Sequence, residues 1–420
     1  MNPLPTLAAQ APVAAAPGIR QVTPAARLDY LDATRAFALV LGVVFHASLS
    51  FTPFFMGWAV QDVSTSAVVS DFMQVSHSFR METFFLLAGF FSHGLLQRRG
   101  VGEFVRSRAV RLAVPFVVGW FLLRPLLMSG WIMGAASLRG DYDFWASVRG
   151  GFATLRTLPA GIFVGSHLWF LYYLMLATAG ALLVRAVMGF GDSHPRLRRI
   201  DAVAAWLAGS AWALPVLVAP TAAALWFMRF WGMDTPDQSL VPNLPVLAIY
   251  GGFFGLGWLF GRQPDAIARF GRISFSNVTL ALGSGWAVLR LGAIQADPGH
   301  PYYAAAHGGF VVSYATLMWT LVPLALGACR KLFDQPRAVV RYVADSSYWM
   351  YLIHLPVVIW LQVAVAEVDA AWWLKLAGIS LATIALSLLT YDLFVRSTFL
   401  GALLNGRRRE RVLFKRRSGA

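Results

Sequence analysis

The sequence contains very little cysteine and little charge. Cys329 is the single cysteine in 420 residues, so the chain can form neither an internal disulfide nor a cysteine-based metal site. Only 13% of the residues are charged, whereas soluble domains are nearer a quarter charged. Hydrophobic residues make up 58% of the chain, and the mean hydropathy is +0.60. This composition predicts a polytopic membrane protein, so the length does not indicate several soluble domains.

Acidic residues are also scarce, since 20 Asp and Glu face 35 Lys and Arg for a net charge of +15. Such an excess could indicate nucleic-acid binding. The basic residues, however, lie in short loops and a tail beside hydrophobic runs, which is typical of membrane topology signals. We therefore expect no nucleic-acid partner. The first nineteen residues lack the basic stretch of a cleavable signal, and residues 1–26 are predicted to form a flexible cytoplasmic tail.

Ten apolar segments predict an all-α membrane bundle of about ten transmembrane helices. They lie at 36–56, 79–96, 109–130, 167–188, 202–227, 246–261, 272–294, 308–328, 346–366 and 370–394. Both termini and every even-numbered connection are basic, which predicts that they are cytoplasmic. The domain organisation that follows is a transmembrane domain over 27–396 and a basic cytoplasmic C-terminal tail over 397–420.

Three local patterns add to this outline. The segment at 246–261 is short and rich in glycine, which predicts close helix packing. The stretch FWASVRGGFATL at 144–155 predicts a short amphipathic helix on the outer surface. In the last span, Asp392 lies four residues before Arg396, a spacing that favours a local ion pair.

The first apolar run carries an ionisable residue, His46, eleven residues after Arg35. Eleven residues are close to three helical turns, so both side chains leave one face, about 16 Å apart along the axis. An ionisable group inside a membrane span is costly and is a candidate functional site. The alternative is a histidine that is hydrogen-bonded to a neighbouring helix.

Further polar groups lie at the ends of other spans. Arg80 and Glu82 open the second span, where they could form a local pair, or Glu82 could hold a catalytic histidine. Arg108 and Arg111 share a helix face. Together with Arg35 they could form a cytoplasmic anion site, because planar guanidinium groups suit phosphates. The alternative is that these arginines only determine topology.

Two more histidines lie in or beside spans. His167 and Trp169 lie at the outer end of the fourth span, where an aromatic belt accounts for the tryptophan and leaves the histidine unexplained. His354 lies in the ninth span, two residues before Pro356. Because a proline removes a helical hydrogen bond, His354 either faces an internal cavity or satisfies a freed carbonyl.

Five marks along the chain together resemble the membrane-bound acyltransferase-3 family, and within it the glucan-biosynthesis branch of succinyltransferases. The marks are Arg35-x10-His46, FRMETFFLLAGFF at 79–91, Arg108-x-x-Arg111 followed by Pro115, HLWFLYYL at 167–174 and SYWMYLIHLP at 347–356. The chain departs from the family in having Ala88 before Gly89-Phe90, where the family commonly has serine. Related members also often have another residue at the position of Glu82.

The resemblance implies a multi-pass enzyme of the bacterial inner membrane. It would move an acyl group from cytoplasmic acyl-coenzyme A, a co-substrate, to hydroxyl groups of an extracytoplasmic glycan, with no permanently bound cofactor and no metal. His46 would be the general base and Glu82 its orienting group. The donor would bind at Arg35, Arg108 and Arg111, and the acceptor at His167, Trp169 and His354. The branch implies succinyl, with acetyl as a competitor, and the oligomeric state is unknown.

Two other functions stay open at this point. The first is a transporter or flippase of a glycan or an acylated intermediate, with His46 as a proton relay. The second is a non-catalytic scaffold for envelope glycan assembly, which would leave Arg35 and His46 without a role.

Overall fold

The computed structural model describes residues 28–137, 142–156, 166–187, 195–228 and 232–413. The predicted N-terminal tail, 1–26, lies outside these ranges, as does the 414–420 end of the predicted C-terminal tail. The described residues are mostly helical and contain no strand.

Fifteen α-helices follow one another in the described chain. The first eight are α1 (Asp29–Ser48), α2 (Ala67–His77), α3 (Arg80–Arg108), α4 (Val114–Ser137), α5 (Phe144–Ala153), α6 (Trp169–Val187), α7 (Pro195–Gly209) and α8 (Ala213–Leu225). The remaining seven are α9 (Leu244–Arg262), α10 (Pro264–Phe270), α11 (Phe275–Gln295), α12 (Tyr303–Phe333), α13 (Ala338–Val365), α14 (Trp372–Thr390) and α15 (Phe399–Asn405).

The predicted membrane bundle is confirmed. Within the described ranges, eight helical stretches are long and apolar enough to cross a membrane, and the pair formed by α7 and α8 could be a ninth. One of the eight, Ala67–Ser137, is 71 residues long. It contains both the second and the third predicted segment, because α3, which is kinked at Gly100 (φ of 72°), continues into α4 through a π-helical turn at Ala109–Ala113. With these two counted separately, each of the ten predicted apolar segments overlaps a helix of the described ranges.

Two predicted segments differ in shape from the observed helices. The segment at 202–227 is not one straight span, because the helices on either side of residue 210 are bent by 95°. The segment at 36–56 is helical only as far as Phe51. Thr52 is extended, with ψ of 146°, because the following residue, Pro53, disfavours the helical conformation of the residue before it.

Close packing of the glycine-rich α9 is confirmed, and its partner is α3. A Cβ atom on Gly89 would lie 1.9 Å from the carbonyl oxygen of Phe254, and one on Gly257 would lie 1.9 Å from that of Leu86. Both helices therefore need glycine at the crossing, since no side chain fits between the two backbones.

Helix α1 lies inside the bundle and contacts α3, α12, α13 and α14. Its buried apolar residues, among them Leu31, Leu39 and Val43, pack against these neighbours. The polar groups of α1 are therefore held between helices. The face of α1 that carries Arg35 and His46 lines the candidate site.

Two smaller predictions are also confirmed. The stretch at 144–155 forms a short helix, α5, whose first turn is capped by Asp143 accepting from the Ala146 amide at 2.9 Å; its place on the outer surface stays a prediction. Asp392 lies 4.0 Å from Arg396. The carboxylate of Asp392 also accepts from the amides of Val412 and Leu413, so it holds the segment after α15 against the bundle.

Candidate active site

A cavity of about 1450 Å³ passes along the polar face of α1. Arg35 and His46 both line it, as the three-turn spacing predicts. The other predicted site residues that line it are Arg108, Arg111, His167, Trp169 and His354. The structure therefore brings seven of the eight predicted site residues to one cavity, and Glu82 is the exception.

Three of these residues form a histidine cluster, His46, His354 and His167. The ring centroids are 5.3 Å apart for His46 and His354, and 5.5 Å apart for His354 and His167. Nδ1 of His354 lies 2.8 Å from the carbonyl oxygen of Tyr351. A carbonyl oxygen only accepts, so this nitrogen carries the proton and Nε2 of the neutral ring has the free lone pair.

His167 satisfies the carbonyl that Pro356 frees. Proline has no N–H, so the carbonyl of Leu352, four residues earlier, loses its helical donor. Nε2 of His167 donates to that oxygen at 2.9 Å. Helix α13 continues through Pro356. The freed carbonyl predicted for this span thus has His167 as its partner, and His354 lines the cavity.

His46 is held by residues that the sequence did not indicate. Its ring stacks on Trp58, with centroids 5.9 Å apart and an interplanar angle of 19°. The Trp58 indole donates to Oε1 of Gln362 at 3.0 Å. Nε2 of Gln362 in turn donates to the carbonyls of His46 at 2.9 Å and of Ala47 at 3.1 Å. Helix α13 and the loop after α1 together therefore fix the turn that carries His46.

That loop, residues 52–66, is itself anchored at its centre. The Asp62 amide donates to the Ser50 carbonyl at 2.9 Å. The Asp62 carboxylate pairs with Lys375 of α14 at 2.7 Å, and both side chains are almost completely buried. Burial raises the pKa of the Asp62 carboxyl, and the hydrogen bond from Lys375 opposes the shift. The ion pair thus fixes the loop that carries Trp58.

The opposite end of the cavity is a cationic mouth, which we define as Arg35, Arg98, Arg108, Arg111, Arg407 and Arg409. Arg35 donates to the carbonyl of Ala344 at 2.8 Å and lies 3.4 Å from Asp32. Arg108 donates to the hydroxyl of Ser92 at 2.9 Å. These contacts hold the guanidinium groups beside the opening, where they form a ready site for an anion.

The C-terminal segment contributes to this mouth. The guanidinium of Arg111 packs against Gly406, the left-handed residue that ends α15. Arg409 pairs with the carboxylate of Asp345. The sequence indicated these C-terminal arginines only as a topology signal, because nothing in a run of basic residues specifies what it folds against.

Glu82 lies away from the histidine cluster. Its side chain is completely buried, does not line the cavity, and has no hydrogen-bond partner for either oxygen among the described residues. The predicted local pair with Arg80 is wrong, since no described carboxylate lies within 4.0 Å of that guanidinium. Side chains two residues apart leave a helix on different sides. The orienting role of Glu82 stays a prediction, although the observed contacts of His46 are with Trp58 and Gln362.

Comparison with known proteins identifies the family. The family model described as "Acyltransferase domain" matches residues 28–392. This chain belongs to the acyltransferase-3 family. The acyltransferase is 24% identical over 394 residues to proteins named Glucans biosynthesis protein C from Salmonella paratyphi B and Salmonella dublin, with 91% of this chain and 96% of each relative covered. No solved structure matches it significantly.

In this acyltransferase, Gln362 carries a signal that sequence reasoning could have used, and the burial of Trp169 corrects its interpretation. Gln362 is a polar residue in the apolar run VVIWLQVAV of α13, and a polar group inside a span needs a partner. Trp169 is only 7% exposed and stacks on Tyr250 at 5.7 Å. It therefore belongs to the interior of the bundle, and the aromatic belt does not account for it. Trp58 has no comparable signal, because it lies in an irregular loop.

Proposed function

We propose that this acyltransferase moves an acyl group from cytoplasmic acyl-coenzyme A to a hydroxyl group of an extracytoplasmic glycan. The observation that supports it is one cavity lined at one end by Arg35, Arg108 and Arg111 and at the other by His46. Phosphate groups of the donor bind the guanidinium groups of the cationic mouth. The pantetheine arm then extends along α1 towards the histidine cluster.

The proposed reaction uses His46 as the general base. As the acceptor hydroxyl oxygen attacks the thioester carbon, the neutral imidazole takes the hydroxyl proton. The new ester C–O bond forms, the C–S bond breaks, and the proton passes to the coenzyme A thiolate. Histidine suits this role because its ordinary pKa near 6.5 keeps the neutral form available at neutral pH.

His354 and His167 are the proposed neighbours of the acceptor. In His354, Nε2 is free to accept a hydrogen bond from a hydroxyl group, since Nδ1 donates to the main chain. The relatives' name, Glucans biosynthesis protein C, supports a glucan as the acceptor. A periplasmic glucan and a location in the bacterial inner membrane are parts of the same proposal. Succinyl and acetyl are the acyl groups that this function would use.

The test is transfer by the purified protein in lipid nanodiscs. Acyl-coenzyme A and a glucan are supplied, the release of free thiol is measured, and the mass of the glucan is determined by mass spectrometry. We expect thiol release that depends on the glucan, and a glucan heavier by one or more acyl groups. His46→Ala should abolish both, whereas His300→Ala, in the turn between α11 and α12, should not. Full transfer by His46→Ala would overturn the role of the base.

The transporter alternative gives a different result in vesicles. A flippase would move a glycan or an acylated intermediate across the bilayer without release of thiol. Glycan movement that is lost in His46→Ala, with no acyl transfer in any condition, would replace the proposed function by that alternative.

A further inference from the structure

A second kind of cationic site lies in the cavity, well away from the mouth. Arg80 is only 5% exposed, and it lines the cavity. Its Nη1 is buried and has no hydrogen-bond partner among the described residues. A buried guanidinium without a counter-ion is costly, and buried donors in folded proteins are nearly always satisfied. An anionic group of a substrate would supply the hydrogen-bond acceptor and the counter-charge that the described residues do not give to Arg80.

Arg80 lies beside the histidine cluster. Its guanidinium carbon is 3.9 Å from the centroid of the Phe45 ring. That centroid is 5.2 Å from the ring of His46. The distance from the guanidinium to the proposed base is therefore no longer than these two distances together. The cation is thus close to where the acyl carbonyl must lie.

The acidic residues of this region do not neutralise Arg80 by direct contact. Glu82 interacts with it electrostatically, but it lies outside the cavity, and its carboxylate is not within 4.0 Å of the guanidinium. Asp234 and Asp237 line the cavity, and neither forms an ion pair with Arg80 in the described part of the chain. The unsatisfied Nη1 of Arg80 therefore remains available to a bound molecule.

We propose that Arg80 binds the free carboxylate of a dicarboxylic acyl group and so selects a succinyl-type donor over a neutral acyl donor. This inference rests on the proposed function. The two carboxyl carbons of a four-carbon diacid are about 4 Å apart, as three C–C bonds of about 1.5 Å require. With the thioester carbon beside His46, the distal carboxylate extends across Phe45 to the guanidinium. Nη1 of Arg80 can donate a charge-assisted hydrogen bond to a carboxylate oxygen there.

The competing use of Arg80 is to stabilise the oxyanion that forms on the thioester carbonyl. The two roles differ in what they discriminate. An oxyanion donor acts on every acyl group equally, whereas a carboxylate receptor acts only on the diacid. The discriminating pair of donors is succinyl-coenzyme A and butyryl-coenzyme A, which have the same chain length and differ in the terminal group.

The experiment measures kcat/KM for both donors in nanodiscs with a glucan acceptor. We expect the wild type to have the higher kcat/KM with the succinyl donor. In Arg80→Gln, kcat/KM should fall roughly 100-fold with that donor only, since a site built for a polar group loses most when the pair is broken. Arg108→Gln, at the mouth, is the matched control and should lower kcat/KM for both donors by the same factor. Arg80→Lys keeps the charge and should retain part of the preference, which separates loss of the pair from loss of folding.

Equal losses with both donors in Arg80→Gln, or no preference in the wild type, would overturn the inference. If the wild type transfers neither group, the proposed function fails. The affinities of the two donors for the protein then test this inference separately. Succinyl-coenzyme A should bind the wild type more tightly than butyryl-coenzyme A, and Arg80→Gln should abolish that difference. Equal affinities of the wild type for the two donors would contradict it.

Discussion

The side-chain amide of Gln362 donates to the main-chain carbonyl of His46 at 2.9 Å. This bond connects the middle of α13 to the last turn of α1. The same carbonyl also accepts from the Leu49 amide that caps α1, so Gln362 adds a second donor from another helix. A second bond to Ala47 and the bond from Trp58 complete the amide's contacts. The position of the proposed base is therefore set from outside its own helix.

The first prediction concerns Gln362→Leu, which keeps the size and removes the amide. The end of α1 loses its hydrogen bonds to α13, and Trp58 loses its acceptor, so the His46 ring is held less firmly. We expect kcat to fall about 10-fold, as loss of about 1.4 kcal/mol of positioning would give, with the donor Kd unchanged. Gln295→Leu replaces another buried glutamine, which contacts His307 outside the cavity, and should leave kcat unchanged. A change in donor Kd with kcat intact would contradict the positioning role.

The second prediction concerns the cationic mouth. Arg108→Gln removes a guanidinium that lines the cavity, so the donor should bind about 10-fold more weakly, as loss of one charge-assisted contact would give. Binding is measured by titration calorimetry with coenzyme A. The matched control is Arg106→Gln, since Arg106 lies on the same stretch of α3, with 80% of its side chain exposed and Glu103 as its partner. Equal weakening by both variants would show that only general charge matters.

Much of this site follows from local sequence pattern, and the remainder depends on distant contacts. The shared face of Arg35 and His46 could be predicted, because helical periodicity fixes it within one element. Pro356 indicated a freed carbonyl, but its partner His167 is 185 residues away from Leu352, and no local rule gives that pairing. Trp58 was missed for a related reason, since its loop has no periodicity that would show which way the indole points.

The third prediction tests the crossing of α3 and α9. Gly257→Ala would place a Cβ atom 1.9 Å from the carbonyl oxygen of Leu86, so the two helices must separate. We expect the free energy of unfolding to fall by at least about 2 kcal/mol, in the range of overpacked cores. The fall is measured as a lower thermal unfolding midpoint in detergent. Gly251→Ala is the control on the same helix, because a Cβ there meets nothing within 4 Å. It should be neutral or slightly stabilising, since alanine favours a helix.

The fourth prediction concerns the buried pair of Asp62 and Lys375, which anchors the loop that carries Trp58. Lys375→Met leaves the Asp62 carboxylate buried without its cation, at a cost of about 3–5 kcal/mol. The double variant Asp62→Leu with Lys375→Met removes both charges and should regain most of that stability. Unfolding in detergent is measured for the wild type, both single variants and the double variant, with Lys331→Met, an exposed lysine, as the control.

The same four proteins separate stability from catalysis. If the pair acts by holding the loop closed over the histidine cluster, kcat should fall in Lys375→Met at a temperature where the protein is still folded. It should recover in the double variant together with the unfolding midpoint, because a well-packed apolar pair anchors the loop as the ion pair does. Recovery of stability with kcat still low would mean that the charges act on the reaction directly, and the loop would then be more than a support for Trp58.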